Sequence, residues 1–421
     1  MDYRIDSTTD SIHSTGGIAL AGKIFERLGF GDPDSGLSHP EVLRVLAGLF
    51  VQGRTRYEEI DLFRRDCLFR DSFGLDYVPA RETLRLYLER MASETAQVQE
   101  EVDRFTIKLL KRLTLTPIKT GNQSYLPVDV DTSPFDNSKS HKEGVSRTYK
   151  QFDGYHPIFS YIGREGYMLS CELREGKQHC QNGTPAYLER TIGLLTQLPV
   201  RTPVLFRLDG GNDARETLDV LNRSGHFFVV KRNLRKELPE YWLSVARAEG
   251  TVTCIDDCKT VYTGFHTGRT PTDGGPEMDI VFEVTVRRTA VDGTALLFPE
   301  VSVETFWTNL YESPETVIQL YRDHGTSEQF HSELKSDMNV ERLPSGKFAV
   351  NAMILQVAMV AFNTLRFIGQ SALGMEELPY KTEVIRKRLR KVIDDLIRIA
   401  VKRVCHARQQ ILKLWEHDPW L

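Results

Sequence analysis

The stretch SYLPVDVDTS, residues 124–133, reads as a strand that ends in two acids, Asp129 and Asp131. TPVLFRLDGG, residues 202–211, has the same form and ends on Asp209. Between them, HPIFSYIG (156–163) and GYMLSCELRE (166–175) read as a hairpin, with Gly163, Arg164, Glu165 and Gly166 as its turn. TPAYLERTIGLLTQL (184–198) has the spacing of an amphipathic helix. DARETLDVLNRSG (213–225) is a helix stopped by Gly225, and HFFVVKRN (226–233) is a further strand. The order is β-β-β-α-β-α-β, an α/β pattern.

Outward from this block the pattern changes. Residues 1–118 read as mostly helical, with apolar residues at three- and four-residue spacing in 18–28, 40–52, 57–64 and 81–115. Such short helices suit a helix-turn-helix module or any small bundle. Residues 234–311 carry strand-like stretches separated by Gly and Pro clusters, the pattern of a β insertion. Ser313, Pro314 and Glu315 then form a strong helix start. The organisation expected is 1–118 N-terminal helical DNA-binding region, 119–233 first part of the core, 234–311 β insertion, 312–370 second part of the core, and 371–421 basic C-terminal helical region.

Composition narrows the class. The 421 residues carry a net charge of −4, which taken whole argues against a nucleic-acid-binding protein. The charge is segregated, however. Residues 381–413 hold eleven Lys or Arg against three acids, leaving −12 on the rest of the chain. A smaller basic run, SKSHKEGVSRTYK (138–150), carries Lys139, Lys142, Arg147 and Lys150. Local basic segments suggest a polyanion partner, against the alternative of solvated faces or a mobile loop. The 381–413 segment also has an apolar stripe (Val384, Ile385, Leu389, Ile393, Leu396), so it suits DNA binding or protomer pairing.

The N-terminus shows no export signal. The apolar run from Phe348 to Phe362 is broken by Asn351 and Gln356, and reads as a buried core helix too short to span a bilayer. Six scattered cysteines suit a reducing cytosol, and Cys254-x3-Cys258 lacks the paired spacing of a zinc site.

The chemistry is expected at the strand ends, because functional groups in an open sheet gather beyond the carboxyl ends of neighbouring strands. Two carboxylates there repel each other unless a cation joins them, and Mg²⁺, which takes oxygen ligands, is suited to that place. The simpler alternative is that each Asp terminates a strand or caps a turn. In YRDHGTSEQFHSELKSD (321–337), helical geometry puts Tyr321, His324, Glu328, His331 and Lys335 on one polar face. Gly325 and Thr326 interrupt that helix as an alternative, leaving only Glu328, His331 and Lys335 together.

These three blocks resemble bacterial insertion-sequence transposases with an Asp-Asp-Glu triad. They are most similar to the IS-four superfamily, whose third block reads Tyr-x2-Arg-x3-Glu-x6-Lys. Here it is Tyr321-x2-His324-x3-Glu328-x6-Lys335. LPVDVDTSPFD, FDGYHPIF, LFRLDGGND and ERLPSGKFAVNAMILQVAMVAFNTL resemble the IS-thirteen-eighty branch. So do the early IHSTGGIALAGKIFERLG and YEEIDLFRRDCLFRDSFG, and the resemblance covers nearly the whole chain. Two positions depart from the pattern. His324 stands where the family has Arg, and Asp209 is followed by Gly210, Gly211 and Asn212 rather than by the family's x-Gly-aromatic.

The resemblance implies an RNase-H-like mixed-sheet core with a β insertion, flanked by an N-terminal helical domain and C-terminal helices. It implies a two-metal-ion transposase that cleaves element ends and transfers strands into target DNA. Asp131, Asp209 and Glu328 would be the catalytic and metal-binding residues, with Mg²⁺ as cofactor and Mn²⁺ as substitute. Asp129 would be a supporting acid or the alternative ligand. Tyr321, Arg322, His324 and Lys335 would contact DNA, with His324 mostly neutral near pH 7. Lys139, Lys142, Arg147 and Lys150 would grip phosphates. Trp307 is expected either in the core or stacked on a displaced base, with His141 and His156 structural. Partners would be double-stranded terminal repeats and target DNA, with a homodimer in the synaptic complex, in the bacterial cytoplasm at the nucleoid. The alternatives are a catalytically impaired, domesticated DNA-binding derivative and a metal-dependent nuclease on the same fold.

Overall fold

The computed structural model describes residues 6–121, 123–255, 258–269, 278–290, 294–374, 384–407 and 409–416. Its centre is a large mixed sheet. The strands are β1 (Ser124–Thr132), β2 (Ile158–Ile162), β3 (Tyr167–Glu172), β4 (Val204–Leu208), β5 (Phe227–Arg232), β6 (Thr251–Ile255), β7 (Lys259–Arg269), β8 (Met278–Thr289) and β9 (Ala295–Thr308). They lie in the order β6-β7-β8-β9-β5-β4-β1-β2-β3, and the short strand Ile118–Lys119 pairs with β1. β2 runs antiparallel to β1 and β3 to β2, whereas β4 runs parallel to β1 and β5 parallel to β4. An order of 5-4-1-2-3 with that polarity is the RNase-H-like arrangement. The insertion strands β6 to β9 continue the same sheet, with β9 antiparallel to β5.

Local sequence explains the core. The β2–β3 turn carries Gly163 and Gly166, both at positive φ (75° and 71°). At Gly166 an added Cβ would also lie 2.2 Å from the Phe330 ring. The helices α1 (Thr184–Leu195) and α2 (Arg215–Ser224) are the crossovers that return the chain to β4 and β5. The insertion differs from the sequence expectation in opening with a helix, α3 (Pro239–Glu249). Pro239 sits in its first turn, and Trp242, Val245 and Ala246 are buried at helical spacing.

After the insertion come α4 (Pro314–Arg322), α5 (Thr326–Ser332) and α6 (Phe348–Leu373). The Ser313 hydroxyl caps α4 by accepting from the Thr316 N–H. α6 is longer than its apolar run suggested, at 26 residues. By length and composition it could cross a membrane, but 83% of its apolar window is buried inside the fold. Its polar residues serve the interior. The Asn363 amide accepts from Met168 N–H and donates to Met168 C=O, both at 2.8 Å, so it satisfies the open edge of β3. The N-terminal helices Ile18–Leu28, Pro40–Phe50, Arg81–Arg90 and Thr95–Leu110 share one hydrophobic core with α6 and with Leu389, Val392 and Ile397.

The C-terminal region corrects the sequence reading. Among the described residues after α6, only Leu389–Ile397 is helical, and its second half is a π-turn. Val401–His406 and Gln409–Lys413 form an antiparallel hairpin that pairs with a strand at Ser11–His13. Lys and Arg favour helix as isolated residues, but pairing with the N-terminal strand overrides that weak preference here. Lys381, Glu383 and Arg408, counted in the basic segment, lie outside the described residues, as does the side chain of Cys254.

Candidate active site

The register of the parallel pair β1 and β4 builds the site. Asp129 faces Arg207 across the ladder, and Val130 faces Leu208. Asp131 and Asp209 follow one residue later on each strand, so the two acids stand side by side at the carboxyl ends. Residues two apart on a strand share a face. Asp129 and Arg207 therefore lie one step behind the acid pair, on the same side of the sheet.

The opposite wall comes from α4, a single 3-10 turn at Asp323–Gly325, α5 and a π-turn at Glu333–Asp337. Helical rotation persists through the interruption at Gly325. Tyr321, His324, Glu328, His331 and Lys335 accordingly line one cavity with Asp131 and Asp209, with a volume of about 700 Å³. Thr132, Tyr149, Lys150 and Ser327 also belong to its lining. The outer side of the π-turn is held by one arginine of α6 and one from the chain after it. Arg388 bonds Asp337 at 2.8 Å, and Arg366 bonds Glu333 at 2.9 Å.

The two aspartates sit in different fields. Asp131 accepts from the Thr132 N–H at 2.8 Å and from His331 Nε2 at 3.2 Å. Burial raises its carboxyl, but these bonds and the His331 charge outweigh it and hold the group below the usual carboxylate value. His331 Nδ1 in turn shares a hydrogen bond with the Tyr161 hydroxyl at 3.1 Å. Asp209 is pushed up to about 6 by burial and by the neighbouring Asp131 charge. Glu328 is exposed on the facing wall and makes no hydrogen bond or ion pair among the described residues.

Behind them lies a buried chain of charges. Arg207 donates to both Asp129 oxygens at 2.6 and 2.8 Å, and to Leu320 C=O at 2.8 Å. His324 donates from Nδ1 to Asp129 at 3.0 Å. Asp129 is 2% exposed and fully paired, so its carboxylate is committed to this network rather than to the cavity. The network also shifts His324 toward its charged form. Burial lowers its pKa, but the Asp129 bond and charge outweigh that and hold it above the ordinary value. Its Nε2 is buried and has no hydrogen-bond partner among the described residues.

The other expected contacts divide. Lys335 lines the cavity, with its ammonium on Pro134 C=O at 2.6 Å, and burial lowers its pKa to about 8. Lys150 also lines the cavity, and Arg322 stands at its rim, tied to Glu283 and Glu304 of the insertion at 2.8 and 3.0 Å. Lys139 and Arg147 are exposed but do not line it. Lys142 turns inward to Asn137 at 2.9 Å and to Leu343 C=O. Trp307 is a core residue that donates to Asp213 at 2.9 Å. His156 is structural, bonding Thr132 and Gln178. Among the cavity residues that sequence reasoning left without a role are His331 and Tyr149. His331 lay on the polar face already, and Tyr149 is the aromatic residue in the 138–150 basic run.

Among the described residues, no three acids, histidines or cysteines are gathered into a ready-made metal cage. The donor set nonetheless fits a hard divalent cation. It is all carboxylate oxygen, and the raised Asp209 shows two acids whose repulsion such an ion would relieve. Glu328 faces them from the exposed wall as a third oxygen donor.

An RNase-H-like sheet with paired aspartates at the ends of its first and fourth strands, faced by a helical glutamate, defines an enzyme of the DDE nuclease and transposase class. The family model described as "Transposase DDE domain group 1" matches residues 37–421. The chain belongs to this family of DDE transposases. Among solved structures it is similar to the piggyBac transposase in a synaptic complex with hairpin DNA, determined by cryo-electron microscopy. The TM-score is 0.43 at 9% identity, over 91% of this chain and 80% of that one. No curated protein matches it in sequence.

Proposed function

We propose that this protein is a transposase that cuts DNA at the ends of an insertion sequence and joins those ends to target DNA. The observation that carries this reading is the convergence of Asp131, Asp209 and Glu328 on one open cavity. These three residues would hold divalent metal, Mg²⁺ or Mn²⁺. Bound there, the metal would neutralise phosphate charge and make water or a 3′-hydroxyl a better nucleophile.

The chain's own groups supply the rest. His331 and the Thr132 N–H keep Asp131 ionised and oriented. Asp129, clamped by Arg207, fixes the His324 ring and favours its charged form. His324 and Lys335 thus put positive charge on the wall that a scissile phosphate would meet, with Tyr321 and Arg322 beside them. Lys139, Arg147 and Lys150 lie on the hairpin loop beyond β1, where they would hold more distant phosphates.

The third block supports assignment to the IS-four superfamily and its IS-thirteen-eighty branch, and with it a bacterial cytoplasmic protein at the nucleoid. The N-terminal helices and the basic chain after α6 would bind double-stranded terminal repeats, with two protomers bridging two ends. Preservation of all three acids favours an active enzyme over an impaired binding derivative. The test is incubation of the purified chain with DNA carrying the sequences that flank its coding region, with and without Mg²⁺. Metal-dependent nicking at the ends followed by strand joining is expected. Nicking without joining would make it a nuclease, and binding without nicking would make it a domesticated binder.

A further inference from the structure

The hairpin beyond β1 presents a feature that the acids do not use. Strand Ser146–Arg147 pairs with Asp153–Tyr155, and the turn between them is closed from inside. The N–H and hydroxyl of buried Thr148 both donate to Phe152 C=O, at 2.9 and 2.8 Å. The Gln151 N–H donates back to Thr148 C=O at 3.0 Å, with Gln151 at φ 65°. A turn tied this way has a defined tip, and the tip is Tyr149 and Lys150. Both line the cavity of Asp131, Asp209 and Glu328.

Tyr149 is 59% exposed there, an open aromatic face over a polar cavity. Its ring rests on His156, with centroids 5.2 Å apart. His156 is itself fixed by Thr132 and by Gln178 C=O, both at 3.0 Å. The Tyr149 hydroxyl makes no hydrogen bond among the described residues, so the position is not explained by a polar tie. Lys150 Nζ lies 5.9 Å from the Tyr149 ring. The combination is a braced, exposed aromatic plate with a cation 5.9 Å over its ring, in the lining of the cavity that holds the acids. A nucleobase joined to its phosphate matches it, because every base offers a π-face and Lys a point charge for the backbone.

We propose that Tyr149 is the stacking platform for one nucleobase beside the scissile phosphate, and that Lys150 holds the adjoining phosphate. The assignment rests on reading the cavity as a DNA-cleavage site. A base can reach the plate only after leaving its duplex stack, and single-stranded DNA pays least for that. The site should therefore favour an unpaired base at the cut.

The test uses the full chain in EDTA with a short oligothymidylate carrying 2-aminopurine at its centre. Wild type should bind it and quench its fluorescence. Tyr149→Ala should lose the quenching and about ten- to a hundredfold in affinity, while Tyr149→Phe keeps both. Wild-type thermal midpoints for both variants would show that the fold is intact. Unchanged affinity and quenching in Tyr149→Ala would overturn the proposal. So would equal losses in Tyr149→Phe, which would place the interaction on the hydroxyl. A wild-type chain that nicks element ends with Mg²⁺ but never quenches 2-aminopurine removes the stacking assignment alone. A chain that neither binds nor nicks DNA removes the cleavage reading as well.

Discussion

Replacing Asp129 by Asn should cost more stability than removing the whole Asp129–Arg207 pair. Both residues are only 2% exposed. In the variant, Arg207 keeps its full charge in the interior and retains Leu320 C=O as an acceptor, but loses its counter-charge. Stranding one member of a buried ion pair costs about 3–5 kcal/mol. Adding Arg207→Met removes the stranded charge, and the defects that remain are neutral: the Leu320 carbonyl without its donor and the amide introduced at position 129 without an acceptor, each about 1–3 kcal/mol. The double variant should therefore be more stable than Asp129→Asn alone. Urea titration followed by tryptophan emission reads this, because Trp242 and Trp307 are both buried in the sheet core. The pH dependence has a definite sign. The Arg207 charge and the His324 bond hold Asp129 low against the upward push of burial. Its contribution is thus present above the unfolded value of about 4 and is lost as pH falls through the lower folded value. A cost below about 1 kcal/mol at pH 7, or a double variant as unstable as the sum of the singles, would refute the network.

Asp209 keeps its proton up to about pH 6, so metal must displace that proton in acid. Mn²⁺ affinity, measured by calorimetry, should fall about tenfold per pH unit below 6 and level off above 7; a flat profile from pH 5 to 7 would count against Asp209 as a ligand. Gly166→Ala should destabilise the chain by more than the roughly 1 kcal/mol expected of positive φ alone, because the new methyl meets the Phe330 ring. A thermal midpoint equal to wild type would show that the turn and α5 are not in close contact.

Much of the core was legible in the sequence because its signals are local. Apolar runs that end on Asp129, Asp131 and Asp209 marked two strand ends, and Ser313 with Pro314 marked the helix facing them. The polar face of Tyr321, His324, Glu328, His331 and Lys335 survived the break at Gly325, because the 3-10 turn there keeps the chain winding in the same sense. What stayed hidden depends on register and on distant pairing. Asp129 and Arg207 are 78 residues apart, and only the β1–β4 ladder brings them together. That pairing commits the Asp129 carboxylate to Arg207, and through Asp129 it holds the His324 pKa above its ordinary value. The C-terminal hairpin was masked by helix-favouring Lys and Arg, because its partner strand is at the other end of the chain. The helix α3 carried its start signal at Pro239, but the surrounding strands overshadowed it.

Asp131, Asp209 and Glu328 are proposed to form one metal-dependent cutting centre. The direct measurement is nicking of labelled end DNA in Mg²⁺ by wild type and by Asp131→Ala, Asp209→Ala and Glu328→Ala, with binding of the same DNA followed in parallel. Each substitution is expected to abolish nicking while leaving end binding intact. Undiminished nicking by any one of the three would contradict its place in the centre, and metal-independent nicking by wild type would contradict the centre itself.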